Sequence, residues 1–202
     1  IMQFISRPSW CFNMMTAKKL NFGNIMGHVT NVTNLSSLAS WTADQFDPTL
    51  TWEDIAWIKD RWKGKLILKG IMDSEDAMLA VKAGADAIII SNHGGRQLDG
   101  APSTISVLPE IVDAVNSKVE VHFDGGVRSG QDVLKALALG ADCIHIGRPY
   151  VYGLGAKGQE GVEIAIEIIK KELDLTMAMC GETNISNVGL HNLHHNPFKI
   201  IN

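Results

Sequence analysis

Short apolar segments alternate with amphipathic ones along most of the chain after residue 50. Continuous apolar runs bounded by glycine or polar residues are typical of strands that are buried on both faces of a sheet. The predicted strands are 65–69, 87–91, 120–124 and 143–146. Apolar positions at helical spacing predict helices over 74–83, 105–115 and 159–173, and a further helix after Ser129. Residues 1–50 show no sustained period, so we divide the chain into a first segment, 1–50, and a second, 51–202.

The ends of the predicted helices carry capping signals. Asp73 or Ser74 can cap the first helix, and Ser129 followed by Asp132 resembles a capping box. A glycine ends two of the helices and is followed each time by Ala-Asp and a strand, at 84–86 and at 140–142. This internal echo indicates that one βα unit is used repeatedly.

Strands that alternate with helices predict an α/β protein with a parallel sheet, because right-handed crossovers connect parallel neighbours. The pattern alone leaves two architectures open, a doubly wound sheet and part of a (β/α)8 barrel. A complete barrel needs about 250 residues and eight strands, whereas four strands are visible in these 202 residues. The barrel interpretation therefore requires that the other half of the protein lies outside this sequence.

Composition narrows the class of protein. The chain is 46% apolar and 20% charged, which is ordinary for a globular domain. A net charge of −4 gives no reason to expect nucleic acid as a partner, since nucleic-acid sites are basic. The three cysteines form no close-spaced pair, and His191, His194 and His195 lie in an Asn-rich tail without companion ligands. We therefore predict neither a disulfide framework nor a metal site.

One polar cluster follows the second predicted strand, in the segment 91–99 (SNHGGRQLD). Ligands bind at such strand ends in both architectures. His93 can accept a proton near neutral pH, and the glycines after it allow a sharp turn. Arg96 offers a planar fork of donors that suits a carboxylate. A base and a carboxylate clamp three residues apart suit proton abstraction next to a carboxylate.

Two further strand ends carry glycine-arginine turns that suit a phosphate. They contain Asp124, Gly125, Gly126 and Arg128 after the third strand, and Gly147 and Arg148 after the fourth. Exposed backbone N–H groups, a helix start and a guanidinium group together favour an anion. Lys69 closes the first strand and places another cation at the same edge. The segment 124–130 (DGGVRSG) does not match the G-x-G-x-x-G fingerprint of dinucleotide-binding folds.

The segments SNHGGRQLD, DGGVRSGQDVLKALALGAD and IGRPYVYGL resemble the FMN-dependent 2-hydroxy-acid oxidases and dehydrogenases. The similarity runs from about Thr51 onward, and 1–50 resembles the variable region before strand five, including an Arg-Pro-x-Trp stretch at 7–10. The resemblance implies that 51–202 is the C-terminal half, strands five to eight, of a (β/α)8 TIM barrel. It also implies FMN as cofactor and oxidation of an L-2-hydroxy acid, such as lactate, to the 2-oxo acid.

The resemblance further implies a role for each matching residue. His93 would be the catalytic base and would contact the substrate, and Arg96 would bind the substrate carboxylate. The cofactor contacts would come from Lys69, Ser91, Asp124, Gly125, Gly126, Arg128, Gly147 and Arg148. Among these, Lys69 would stabilise negative charge on the reduced flavin ring. The resemblance does not choose between a carbanion and a hydride route.

The resemblance also implies partners. These are a small 2-hydroxy acid, an electron acceptor (oxygen, a quinone or a cytochrome) and further copies of the chain in a homo-oligomer. The expected location is the cytoplasm or, peripherally, the inner face of the membrane. In this family strands one to four supply the aspartate that orients the histidine and a second substrate arginine. We therefore expect a piece of a longer or cleaved polypeptide, with the missing N-terminal half as a further partner.

Two alternative functions stay open at this point. One is another FMN barrel enzyme, such as a type 2 isopentenyl-diphosphate isomerase, although the pairing of His93 with Arg96 speaks against it. The other is a half barrel that associates without catalysing a reaction.

Overall fold

A computed structural model describes residues 2–17, 25, 29 and 35–194. The chain divides into two compact units, Ile1–Thr51 and Trp52–Asn202. The helices described in the first unit are α1 (Met2–Ile5), α2 (Pro8–Thr16) and α3 (Leu35–Asp44). Pro8 stands in the first turn of α2. A proline fits there because a backbone N–H at that position has no partner within the helix. The histidine at 195 lies outside the described residues.

The second unit is built on a four-stranded parallel sheet. Its strands are β1 (Ile67–Ile71), β2 (Ala87–Ile90), β3 (Glu120–Asp124) and β4 (Cys143–His145). They lie in the order β1-β2-β3-β4, and each pairs in parallel with the next. The prediction of an α/β protein with a parallel sheet is therefore confirmed. Strand order that follows chain order occurs in (β/α)8 barrels, whereas a complete doubly wound sheet reverses it near the middle.

Six α-helices are described in the second unit, and four of them follow the strands as predicted. The bounds are α4 (Trp52–Trp62), α5 (Ser74–Lys82), α6 (Thr104–Val115), α7 (Gly130–Ala138), α8 (Arg148–Lys157) and α9 (Gln159–Met179), with short 3₁₀ helices at Ile185–Asn187 and Leu190–Asn192. Asp73 caps α5 by accepting a hydrogen bond from Glu75 N, and Ser129 with Asp132 forms the predicted capping box of α7.

Helix α8 was not predicted, because the sequence of its second half contains two glycines, which disfavour helix. Its close crossing with α9 explains why glycine stands there. A Cβ atom on Gly153 would lie 2.3 Å from the carbonyl oxygen of Gly161, and one on Gly161 would lie 1.9 Å from the carbonyl oxygen of Gly153. The two backbones are thus in contact, and tertiary packing outweighs the local preference.

The core lies between one face of the sheet and helices α5, α6 and α7. Strand side chains alternate between the two faces. Ile88 and Ile90 of β2 and Val121 and Phe123 of β3 point to the helix side and are at most 3% exposed. The opposite face is more open, since Ile67 is 45% exposed and Cys143 is also exposed.

The internal echo predicted at 84–86 and 140–142 is a repeated structural unit. The Asp86 carboxylate accepts a hydrogen bond from Leu66 N at 2.8 Å, while Asp86 N donates to Leu66 O at 2.8 Å. Asp142 makes the same two contacts with Val121, also at 2.8 Å each. In both places an aspartate just before one strand is hydrogen-bonded to the backbone at the start of the preceding strand. Asp86 is in addition ion-paired with Lys59 and Lys65.

Candidate active site

A cavity of about 460 Å³ opens at the carboxyl ends of the four strands. Its wall includes almost every residue selected from the sequence: Lys69, His93, Arg96, Asp124, Gly125, Gly126, Arg128, Gly147 and Arg148. Ser91 is not in the wall. It is buried directly behind it, with 3% of its surface exposed. The volume lies within the range of about 300–1,000 Å³ that is usual for cofactor and small-ligand sites.

Lys69, Ser91 and Asp124 form one hydrogen-bonded group at the ends of three neighbouring strands. Lys69 Nζ donates to Ser91 Oγ at 2.9 Å and is ion-paired with Asp124. Ser91 Oγ donates to Asp124 Oδ2 at 2.6 Å. Burial acts to raise the pKa of Asp124, but the hydrogen bonds from Lys69 and Ser91 and the charge of Lys69 hold it below its usual value. Asp124 therefore stays anionic beside the lysine at neutral pH.

A bulge in β1 directly follows Lys69, whose pairing with the cavity-lining Ile89 places it on the cavity side. Lys69 pairs with Ile89 and Ile71 pairs with the next residue, Ile90, so that Gly70 is an extra residue in β1. Gly70 has a φ of +103°, which side-chain-bearing residues rarely adopt. Bulges of this kind redirect a side chain next to a site.

His93 and Arg96 contact each other at the mouth of the cavity. Arg96 Nη2 lies 2.8 Å from His93 Nε2, and Arg96 Nε donates to the His93 carbonyl oxygen at 3.2 Å. A guanidinium group only donates, so His93 Nε2 is the acceptor and carries a lone pair. His93 itself has a φ of +56° and its N–H donates to Ser91 Oγ at 3.1 Å. The loop therefore holds an imidazole nitrogen and a guanidinium group side by side.

The loop that carries His93 is tied to the strand ends on both sides. Asn92 Oδ1 accepts from Gly95 N at 3.1 Å, and Asn92 Nδ2 donates to Pro102 O at 3.2 Å. Arg148 Nη2 donates to Gly94 O at 2.8 Å. Gly94 has a φ of +68°, and a Cβ atom there would lie 3.2 Å from the Arg148 guanidinium group. Arg148 thus links the turn after β4 to the turn after β2.

The turn after β3 differs in one respect from the prediction of an anion site at the helix start. The N–H groups of Arg128 and Ser129 both donate to Asp132 Oδ2 at 3.0 Å, and Gly130 N donates to Glu172 Oε2 at 3.0 Å. These backbone donors are already used within the protein. The anion-binding potential of the turn therefore lies in the Arg128 side chain and in the glycines before it, and not in the first N–H groups of α7.

Gly125 and Gly126 allow the chain to make this turn. They have φ values of +123° and +80°. A Cβ atom on Gly125 would lie 2.7 Å from Thr104 Oγ1, whose hydroxyl donates to the Gly125 carbonyl at 3.4 Å. A Cβ atom on Gly126 would meet nothing within 4 Å, which leaves the space above it open to a ligand.

Sequence reasoning missed His145, which lines the inner end of the cavity. It was treated as part of an apolar strand, although its alternation with Ile144 places it on the cavity side. Burial is the main cause that lowers the pKa of His145, and the nearby charge of His122 lowers it further. Both effects favour the neutral form of the ring. Thr104 was also missed, because it directly precedes the predicted helix 105–115 and lies 21 residues from Gly125, which it contacts.

The charge of the cavity selects for an anionic ligand. Four cationic side chains line it, from Lys69, Arg96, Arg128 and Arg148. Among the described residues of its wall, Asp124 is the one carboxylate, and it is paired with Lys69. A concave site with an excess of guanidinium groups suits carboxylate and phosphate groups, which guanidinium binds in a bidentate way.

The fold and this site together define an α/β protein with a cation-rich cavity, suited to an anionic ligand, at the carboxyl edge of a parallel sheet. The chain belongs to the family of FMN-dependent dehydrogenases, whose model matches residues 1–195. It is 42% identical over 194 residues to an L-lactate dehydrogenase of Vibrio cholerae serotype O1 (strain M66-2), covering 96% of the chain and 51% of the relative. It is 43% identical over 189 residues to an L-lactate dehydrogenase of Pseudomonas syringae pv. syringae (strain B728a), covering 93% of the chain and 50% of the relative.

Solved structures show the same likeness. One is mandelate oxidase with (S)-4-hydroxymandelic acid, at 45% identity and a TM-score of 0.72, covering 76% of this chain and 43% of that one. Another is a mutant flavocytochrome b2 with benzoylformate, at 42% identity and a TM-score of 0.69, covering 71% of this chain and 38% of that one. The chain spans about half the length of the curated relatives it matches. FMN is the cofactor that the family implies.

Proposed function

We propose that this chain is the part of an FMN-dependent dehydrogenase barrel that contains strands five to eight, and that the intact enzyme oxidises an L-2-hydroxy acid. The observation that carries the proposal is the contact between His93 Nε2 and Arg96 Nη2 at the mouth of a cation-rich cavity. The relatives support it, since they are L-lactate dehydrogenases and structures of mandelate oxidase and flavocytochrome b2. The product would be the corresponding 2-oxo acid.

Arg96 would bind the substrate, and His93 would take up a proton from it. The Arg96 fork suits the substrate carboxylate, and binding it there would place the neighbouring carbon next to His93 Nε2. His93 Nε2 carries a lone pair and can take up a proton, either from the α-carbon or from the hydroxyl group. FMN, when bound, supplies the acceptance of the two electrons that leave the substrate.

The residues present fit a flavin mononucleotide. Arg128 and Arg148 stand on two neighbouring turns and would hold its phosphate, with Gly126 and Gly147 giving room for close approach. Gly125 would contribute by allowing the backbone to make the turn after β3. Lys69, kept in place by Ser91 and Asp124, would present a cation to the ring system and favour negative charge there.

The partners and the setting of the enzyme are part of this proposal. They are a small 2-hydroxy acid, an acceptor such as oxygen, a quinone or a cytochrome, an N-terminal half of the barrel and further copies in a homo-oligomer. Among the described residues no helix is long and apolar enough to cross a membrane. The location expected from the family resemblance, in the cytoplasm or peripherally on the inner face of the membrane, stays a prediction.

The role of His93 is tested by His93→Gln in the intact enzyme. Glutamine keeps a polar side chain of similar reach but has no basic nitrogen, so we expect loss of turnover by at least about 100-fold with FMN retained. Steady-state oxidation of L-lactate, glycolate and (S)-mandelate with a dye acceptor measures turnover, and visible absorbance measures bound FMN.

A matched control is His191→Gln, because His191 contacts Glu182 and lies outside the cavity. It should leave turnover unchanged. Near-normal turnover of His93→Gln would remove His93 from its proposed role, and absence of activity on all three acids in the unaltered enzyme would contradict the proposed reaction.

A further inference from the structure

Three side chains that can bind a metal lie together on the pair β3–β4. His122 on β3 stands opposite Cys143 on β4, and His145 follows two residues later on the same face as Cys143. One ligand atom from each of the three lies within 4.8 Å of the others. They come from positions 21 and 23 residues apart in the sequence, so the group exists only because the strands pair.

The two imidazoles are already turned toward a common point. His122 Nδ1 lies 3.1 Å from His145 Nε2, and the two rings have centroids 5.2 Å apart. In a tetrahedral site with metal–nitrogen bonds of about 2.0–2.1 Å, two ligand nitrogens stand slightly farther apart than this. A small movement of either ring would therefore admit a metal ion between them.

Glu120 fixes which nitrogen of His122 faces the ion. Its carboxylate Oε2 lies 3.2 Å from His122 Nε2. A carboxylate only accepts, so Nε2 carries the proton and Nδ1 carries the lone pair. A carboxylate that holds the distal N–H of a ligating histidine is the usual arrangement around protein-bound metals. His122 is buried, with 8% of its surface exposed, so this orientation is also fixed by packing.

We propose that His122 Nδ1, Cys143 Sγ and His145 Nε2 form a binding site for Zn²⁺, with Glu120 holding the His122 ring in its ligating orientation. Two imidazoles and one thiolate suit a borderline-soft ion such as Zn²⁺, with the fourth position left to water or another ligand. On binding, the Cys143 thiol releases its proton to solvent, and the His145 proton, which Nε2 donates to His122 Nδ1 in the metal-free protein, passes through solvent to His145 Nδ1. The ion joins β4, which has three residues, to its neighbour β3.

This site differs in chemistry from the cavity described above. The cavity is lined by guanidinium and ammonium groups that suit anions, whereas these three ligands suit a cation. His145 is the residue shared between them.

Titration of the purified, metal-free chain with Co²⁺ tests the proposal. Co²⁺ occupies zinc sites and reports a thiolate ligand by a charge-transfer band in the near ultraviolet. We expect this band to saturate at one ion per chain and to disappear when Zn²⁺ displaces Co²⁺. Absence of the band in the unaltered chain, or a band that Zn²⁺ does not remove, would overturn the proposal.

Matched variants assign the ligands. Cys143→Ser should abolish the band, whereas Cys180→Ser, which changes another exposed cysteine, should keep it. Glu120→Ala should keep the band but weaken Co²⁺ binding by about 10-fold, because loss of such a supporting partner costs 10–100-fold in affinity and Glu120 is exposed. Persistence of the band in Cys143→Ser would show that the thiolate comes from elsewhere and would refute this site.

A measurement without any variant covers the case in which Cys143→Ser fails to fold. Alkylation of the unaltered chain, followed by peptide mass spectrometry, gives the rate for each cysteine with and without Zn²⁺. We expect Zn²⁺ to slow the alkylation of Cys143 at least about 10-fold, since the thiolate is the reactive form and the metal occupies it, and to leave Cys180 unaffected. Equal rates for Cys143 with and without Zn²⁺ would contradict the proposal.

Discussion

Single residues in the cavity depend on one another through shared protons and charges. Asp124 is held anionic at neutral pH by Lys69 and Ser91, although its burial acts in the opposite direction. Lys69 is in turn placed on the cavity side by its pairing with Ile89, one residue before the bulge at Gly70. The charge that the cavity shows to a ligand is therefore a property of this group and not of the lysine alone.

Lys69→Met tests this dependence. The variant removes both the largest hydrogen bond and the charge that lower the pKa of Asp124, so we expect that pKa to rise in the folded protein. NMR titration of aspartate carboxyl carbons in the chain without added FMN measures it. Lys82→Met, which alters a lysine outside the cavity, is the control and should leave the Asp124 titration unchanged. An unshifted Asp124 in Lys69→Met would show that Lys69 does not set its charge.

At the scale of elements, the sequence pattern predicted regular structure well where local and tertiary preferences agree. Strand β3 has the predicted bounds 120–124. Strand β1 is displaced to Ile67–Ile71, because the bulge at Gly70 lets the strand continue past a residue that we took as its end. Helix α9 extends to Met179, six residues beyond its predicted end at 173. Elements that form through close tertiary contact, such as α8, leave no periodic signal.

For the site as well, the sequence predicted only those residues whose local signals agree with their place in the fold. Residues beside glycines at strand ends, such as His93, Arg96 and Arg148, were found because turn chemistry and charge coincide in the sequence. His122, Cys143 and His145 were not, because each occupies one position of an otherwise apolar strand. Their proximity depends on the β3–β4 register, which spacing along the chain does not reveal.

The contacts of Asp86 tie α4, β1 and β2 together and give the stability of the fold a pH dependence. Hydrogen bonds from Lys59, Leu66 N and Lys65 hold the pKa of Asp86 well below its usual value. A carboxylate with a depressed folded-state pKa stabilises the protein above its unfolded pKa, about 3.9, and the contribution is lost as pH falls through the folded value. We expect Asp86→Asn to lower the free energy of unfolding at pH 7 and to approach the unaltered chain below pH 3.

Urea denaturation at pH 7 and at the lowest pH where the chain remains folded measures this difference. Asp142→Asn is a matched control, because Asp142 makes the same two backbone contacts, but no lysine or arginine among the described residues is ion-paired with it. Its effect should be smaller than that of Asp86→Asn at pH 7. Equal losses in the two variants would assign the effect to the backbone contacts alone.

At the scale of the whole molecule, the sheet has two edges, β1 and β4, and an open face opposite the helices. Central strands are the last to open in local unfolding, whereas edge strands exchange their amide hydrogens more readily. We expect the amides of β2 and β3 to be more strongly protected than those of β1 and β4 in the chain alone. Hydrogen–deuterium exchange with peptide-level mass spectrometry measures the protection.

The same experiment tests the proposal of a barrel half. Addition of the N-terminal half of the intact protein should raise protection in β1 and β4, because a closed barrel has no edges. Helix α5 serves as an internal control, since it packs on the face that the core already covers. Unchanged protection at both edges would contradict closure of a barrel by that partner.

Helix α9 contacts both helices that follow the turns carrying Arg128 and Arg148. Its Gly161 lies against Gly153 of α8 with the two backbones in direct contact, and its Glu172 carboxylate accepts a hydrogen bond from Gly130 N at the start of α7. Arg148 begins α8, and Arg128 stands just before α7. We expect a larger residue at 153 or 161 to push α8 away from α9 and to move the turn that carries Arg148 relative to the turn that carries Arg128. A helix that takes no part in lining the cavity thus helps to set the spacing of the two turns that would hold an anion.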